Sequence, residues 1–300
     1  MWIIIDNNSK FFEHNYLESF QIIDKSIKKN IDDDKKVFLL NPPINLWHFI
    51  CDFLGQILEI GENEDYNKCE FIIKFDIDND SSQNLILFLK DFFNKINLKN
   101  YHFLMPGNLI SHNEYYNISP MRETSKAMYN KIYEVFLKNY PTEIVKPEKM
   151  VYVSRCNASI DRIDDEKKIE SFFKTMGFEI LFRENFGKQD VLKDIKYFRD
   201  VKVIAGLSGA GLTNSIFMPP GGLVIEVAVP QITHVSDPKT NQISEEHDLF
   251  PEIRVTARHL FHPASSFIKN HTHIQISVND NNADTAIDKI KRLGIFRWIY

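Results

Sequence analysis

Val201-Lys202-Val203-Ile204-Ala205-Gly206-Leu207-Ser208-Gly209-Ala210-Gly211-Leu212-Thr213-Asn214 is the stretch on which the reading of this chain turns. The apolar run Val201–Ala205 predicts a buried strand, and the glycines after it predict a tight turn. Ser215-Ile216-Phe217-Met218 then predicts a short helix. That helix must stop at Pro219 and Pro220, because proline has no N–H to continue the ladder. Small residues allow a ligand to touch the backbone, and a helix start presents unpaired N–H groups to it. Such a place suits a phosphate or a diphosphate. On that reading Ser208, Gly209, Ala210, Gly211, Thr213 and Asn214 line an anion site.

The surroundings repeat the same unit. Met150–Ser154, Phe178–Phe182 and Leu223–Val227 read as further strands. A helix follows Asp164 and Asp165, its candidate N-caps, and stops at Gly177. A second spans Lys188–Phe198, with apolar residues at 191, 192, 195 and 198. Alternating strands and helices predict a parallel, doubly wound α/β sheet, in which ligands sit at the C-terminal strand ends. The glycine turn, the segment after Ser154, and Glu226 are expected at such ends. The first half is less regular. Val37–Leu40, Phe71–Phe75 and Tyr101–Leu104 read as strands, and Leu46–Leu58, Leu85–Lys95 and Thr124–Leu137 as helices. This suggests a second Rossmann-like unit, joined through the linker Lys138–Lys149.

The 300 residues, 43% hydrophobic, are enough for one large domain or two ordinary ones. A net charge of −5 lacks the basic footprint of a nucleic-acid binder. Cys51, Cys69 and Cys156 show neither metal spacing nor a disulfide framework, which points to a reducing compartment. Met1–Asp6 reads as a strand rather than a signal peptide, and no run is long enough to span a bilayer. The expected localisation is cytoplasmic.

Two groups of side chains invite chemistry. Arg155 sits just past a strand end and Arg162 in the following loop. Guanidinium groups grip phosphate oxygens in bidentate fashion, so the two together suit a diphosphate. Arg162 reads equally well as a surface partner of Asp164 or Asp165. In the first half, His48 and Asp52 share a helix face at i, i+4, with Leu46, Phe49, Ile50, Phe53, Leu54 and Ile57 opposite. If Asn45 caps that helix, its positive end favours a neutral imidazole, able to accept a proton from a hydroxyl. Asp52 either holds the ring or is itself the base. Asp76-Ile77-Asp78 runs into Asn79-Asp80 and reads as a solvated loop rather than a Mg²⁺ or Mn²⁺ site. His259, His262, His271 and His273 lack the carboxylate or cysteine pattern that would complete a zinc site. The 24 Phe are chiefly core, and Trp47, Tyr115 and Tyr116 are the aromatics considered for stacking on a sugar.

Taken together, Tyr152-Val153-Ser154-Arg155, Arg162, Gly177-Phe178, Gly209–Asn214, Phe217, Pro220-Gly221 and Glu226 resemble the C-terminal half of glycosyltransferase family 61. Asn45-Leu46-Trp47-His48 through Asp52 resembles that family's Asn-x-x-His-x-x-x-Asp segment. The resemblance implies a GT-B architecture of two Rossmann-like domains with a nucleotide-sugar in the cleft. It implies domains over 1–145 and 146–283, and a C-terminal helix, 284–300, crossing back onto the first. It also implies inversion at the anomeric carbon, a UDP-linked donor, a hydroxyl acceptor on a glycan or protein, and no required cofactor or metal. Arg155 and the Ser208–Asn214 turn would hold the diphosphate, with Glu226 near the ribose or sugar. One departure stands out: many members carry His where this chain has Ser208. The alternatives are a non-catalytic sugar- or nucleotide-binding protein of the same fold, and an NAD-type oxidoreductase. Against the latter, Asn214 stands where the last glycine of Gly-x-Gly-x-x-Gly belongs.

Overall fold

The computed structural model describes residues 35–43, 45–74, 79–104, 116–118, 126–141, 146–156, 163–182, 190–228, 234–236, 243–245, 268, 270–278 and 280–294. The readings at Met1–Asp6, Asp76-Ile77-Asp78, Tyr115, Arg162, His259 and His262 lie outside these residues. The chain divides into two compact units. One runs up to Asn139 and takes in Asn185–Asp194; the other comprises Tyr140–Glu184 and continues from Ile195.

The first unit is built on a parallel four-stranded sheet. Its strands are β1 (Lys36–Leu40), β2 (Cys69–Lys74), β3 (Tyr101–Leu104) and β4 (Tyr116–Ile118), in the order β3-β2-β1-β4. Its helices are α1 (Leu54–Asn63), α2 (Asn79–Lys95) and α3 (Lys126–Asn139). Phenylalanine fills the space between layers: Phe38, Phe49, Phe53, Phe71, Phe88, Phe92, Phe93 and Phe136 are all buried. Phe38 stacks on Phe71 with ring centroids 5.4 Å apart, and Phe49 on Phe53 at the same separation. Each such aromatic pair adds about 0.5–1.5 kcal/mol beyond the area it buries. Trp47 is buried against Tyr129 and so belongs to this core.

The second unit holds β5 (Lys149–Ser154), β6 (Glu179–Phe182), β7 (Val201–Leu207), β8 (Leu223–Ala228) and a strand close to the C-terminal end, β11 (Thr272–Ser277). They form a parallel five-stranded sheet in the order β11-β8-β7-β5-β6. The short antiparallel pair β9 (His234–Ser236) and β10 (Ile243–Glu245) stands apart. Between strands come α4 (Glu166–Thr175), α5 (Val191–Phe198), whose residues up to Asp194 are counted in the first unit, and a 3-10 helix, Ala210–Phe217, with α6 (Ala283–Arg292) after β11. Central parallel strands are covered on both faces, which is why β7 and β8 read as nearly unbroken apolar runs. α4 presses Ile169 and Phe173 onto the sheet, and Phe173 stacks on Tyr152. Gly177, at φ 83°, turns the chain out of α4 in the left-handed region that glycine enters without cost.

The structure corrects the sequence reading in two places. Asp165 stands at the N-cap position of α4, but it has φ 54° and its side chain makes no cap bond; the helix gains its N-terminal acid from Glu166. Glu226 is not at a strand tip, since β8 runs on to Ala228. The described part of the terminal helix, α6, buries Ala283, Ala286 and Ile290 in the core of the second unit. Asn282 caps α6 by accepting from Asp284 and Thr285 N–H, and Lys168 of α4 pairs with Asp284 at 2.8 Å. Residues 295–300 lie outside the described set.

Candidate functional site

β5 and β7 are neighbours, so their C-terminal ends bring Arg155 and the glycine turn together. Gly209 has φ 170° and ψ 164°, an extended backbone open to any residue. What demands glycine there is space: a β-carbon on Gly209 would overlap Nη1 of Arg155. Gly211 likewise leaves room for Val153, whose Cγ1 would lie 2.7 Å from an added β-carbon. The predicted helix is 3-10 rather than α, opened by Leu212 N–H donating to Gly209 O at 3.0 Å. It ends at Met218, directly before the two prolines. Asn214 donates to Gly211 O at 2.8 Å and stitches the first turn closed. The hydroxyls of Thr213 and Ser215 are buried on this helix and make no hydrogen bond among the described residues. Behind Arg155, its backbone N–H and the Tyr152 hydroxyl both donate to Glu166. Burial pushes the Glu166 carboxyl up, opposed by those two bonds.

Glu226 is the one charged residue in an otherwise apolar strand, and it is 1% exposed. A carboxylate so buried is tolerated only with hydrogen-bonding partners. It has three. Ser208 Oγ donates to Oε1; His273 Nε2 lies 2.9 Å from Oε2; Gln275 Nε2 donates to Oε2 at 3.4 Å. Ser208 is fixed twice, since its N–H also donates to Val227 O. The Ser208 proton is therefore directed at Glu226 and not outward. Sequence reasoning missed Gln275 entirely and left His273 unassigned. The signal was there: in His273-Ile274-Gln275-Ile276 polar and apolar residues alternate, which puts His273 and Gln275 on one face of β11. His271 is separate from this group. Its Nε2 donates to Pro219 O at 3.2 Å, and burial lowers its pKa to about 4.

The second constellation lies in the first unit. Asn45 begins the helix, its side chain accepting from Trp47 N–H at 2.9 Å and its carbonyl from Phe49 N–H. His48–Phe53 is then a π-helical segment that continues as α1. Such segments are rare inside helices and concentrate at functional sites. His48 Nδ1 lies 2.6 Å from Asp52 Oδ2. The Asp52 side chain is 5% exposed, whereas that of His48 is 33% exposed. An ionised carboxylate only accepts, so Nδ1 donates to Asp52, and Nε2 is the ring nitrogen turned away from that pair. Cys51, buried beside Asp52, has its thiol pKa raised by burial first and by the Asp52 charge second.

The structure thus brings His48 to Asp52, Arg155 to Gly209, Ser208 to Glu226, and Asn214 to Gly211. Ala210 opens the 3-10 helix, half-buried. No helix among the described residues is long and apolar enough to cross a membrane. No curated protein matches the chain. The family model described as Glycosyltransferase 61 matches residues 46–225, which spans both the His48–Asp52 segment and the glycine turn. With more than half of its length matched, the chain belongs to glycosyltransferase family 61 and is a glycosyltransferase, an enzyme with a sugar donor and an acceptor.

Proposed function

We propose that this glycosyltransferase is an inverting, metal-independent enzyme of GT-B type. It moves a sugar from a nucleotide-sugar, with UDP as the favoured nucleotide, to a hydroxyl on a glycan or protein. The observation that carries this reading is Arg155 seated on Gly209. A guanidinium lies against a turn without side chains, at the start of a helix, where two parallel strands end. That arrangement favours a diphosphate.

The acceptor oxygen attacks the anomeric carbon from the face opposite the diphosphate, and its proton passes to His48 Nε2. The bond from the anomeric carbon to the diphosphate oxygen breaks, and its electron pair leaves with the diphosphate. Asp52 is too buried to meet an acceptor; it holds the ring and balances the imidazolium. Arg155 and the amides after Gly209 meet the charge growing on the leaving group, and Arg162 is a second candidate cation. Preorganised donors of this kind each contribute about 10²–10³-fold to rate.

Thermal-shift screening of UDP-, GDP- and CMP-sugars, followed by donor hydrolysis, tests the reading. Arg155→Ala is expected to fold normally and to lose more than about 100-fold in turnover. Full activity in that variant refutes the role of Arg155, and wild-type protein that neither binds nor cleaves any nucleotide-sugar refutes the whole reading.

A further inference from the structure

We infer that His273 and Gln275, on a strand beyond the segment matched to the family, are positioning residues for the donor side of this reaction, acting through Glu226 and Ser208 on the glycine turn. The inference rests on the proposed function above.

The geometry runs in one line. In the sheet register Gly206 of β7, Glu226 of β8 and Gln275 of β11 lie side by side. Gly206 adds no side chain on that row, so the Glu226 carboxylate is met from the β11 side by Gln275 and His273. On the β7 side it takes the proton of Ser208, two residues beyond Gly206. Ser208 immediately precedes Gly209, on which Arg155 lies. Donors from the turn and from a neighbouring strand, meeting on one carboxylate, therefore set the position of the residue just before the anion-binding turn.

The alternative role for Glu226, contact with the ribose or sugar, does not suit this arrangement. Both carboxylate oxygens are engaged and the residue is 1% exposed. A charge buried this way is strongly disfavoured if its donors are lost. Withdrawing His273 takes from Oε2 a donor closer than Gln275, and Glu226 is then drawn toward water or pulls Ser208 with it. Either movement shifts the backbone at Gly209. The residue that matters is a donor to Glu226, so the role belongs to the side-chain N–H and not to the imidazole as such.

The test compares His273→Leu, which removes the donor, with His273→Gln, which keeps a side-chain N–H. UDP affinity by calorimetry and kcat and KM for donor and acceptor are measured at fixed pH. His273→Leu is expected to weaken UDP binding and lower kcat/KM for the nucleotide-sugar by about tenfold or more, the loss typical when an outer partner of a site residue is removed. The acceptor KM should hold, and His273→Gln should recover most of the loss. Ser208→Ala is expected to show the same donor-side loss, and the pair Ser208→Ala/His273→Leu no more than the larger single loss, because both act through one carboxylate. Wild-type kinetics in His273→Leu overturn the inference, as does equal damage from Leu and Gln or a loss confined to the acceptor. Should His273→Leu fail to fold, Ser208→Ala decides: full kcat/KM there also overturns it. Wild-type protein that binds no UDP and cleaves no nucleotide-sugar overturns the transferase reading and this inference with it. A wild type that does both beside an unaffected His273→Leu removes only the inference.

Discussion

Replacing Gly209 by alanine separates the site from the fold. The backbone at 209 is extended, so alanine adopts it without strain. Gly→Ala at a compatible position stabilises by about 0.4–1 kcal/mol, by narrowing the unfolded ensemble. The added methyl, however, overlaps Arg155 Nη1 and lies 3.1 Å from Cζ and 3.4 Å from Cδ. What it meets is the far end of a flexible side chain, so the guanidinium yields and the backbone stays. The fork is pushed off by about 1 Å, a misplacement that costs about 10²-fold in rate. That corresponds to about 2.7 kcal/mol of transition-state stabilisation. Gly209→Ala should therefore melt at or slightly above the wild-type temperature and lose about 100-fold in donor cleavage. Combined with Arg155→Ala it should lose little more than Arg155→Ala alone, because both changes remove one interaction. Differential scanning fluorimetry and initial-rate assays on the two single variants and the double variant supply all the numbers. Full turnover in Gly209→Ala, or losses that multiply in the double variant, would show that Arg155 does not work from the place where it lies.

Three further outcomes are expected. Asp52→Asn offers an amide N–H toward Nδ1, moves the imidazole proton to Nε2 and removes the acceptor; kcat should fall by about 10²–10⁴-fold, the worth of a general base, with little change in melting temperature. His271 has its pKa lowered from 6.5 to about 4 by burial. The unfolded chain therefore binds a proton that the folded one refuses, so its share of stability is complete above pH 6.5 and is lost as pH falls toward 4. The loss is at most about 3 kcal/mol, and urea midpoints for wild type and His271→Gln should diverge over that window; parallel curves would contradict it. Gly211→Ala drives a methyl against Val153 Cγ1 inside the core, so it should destabilise by about 1–3 kcal/mol, unlike Gly209→Ala. A melting temperature equal to wild type would show that Val153 can move aside.

The parts of the fold that rest on local periodicity were legible. β5, β7 and β8 are largely apolar runs, and the two prolines follow the 3-10 helix where the sequence requires its end. The pairing of His48 with Asp52 followed from i, i+4 spacing alone, although the π-helical form of that segment did not, because no residue pattern distinguishes it from an ordinary turn of helix. What stayed hidden was long-range. The meeting of Arg155 and Gly209 depends on β5 and β7 being neighbours, a fact of strand order. The position of Glu226 in mid-strand, and the donors waiting on β11, depend on a register that single-sequence patterns do not encode. The amphipathic face of α6 likewise requires a partner and does not say which. The resemblance to the family supplied residue roles that spacing alone could not.

The family match stops at residue 225, inside β8, and leaves β11 outside. β11 is the outermost strand on that side, and the six residues of β8 beneath it are all buried. A fragment trimmed to the matched segment would sever β8 and bare the ladder of the strands within. An unguarded apolar edge of that kind recruits copies of itself. Insolubility of such a shortened protein would then be an aggregation artefact of where it was cut, and boundaries chosen for expression should run past Arg292, the last residue of α6.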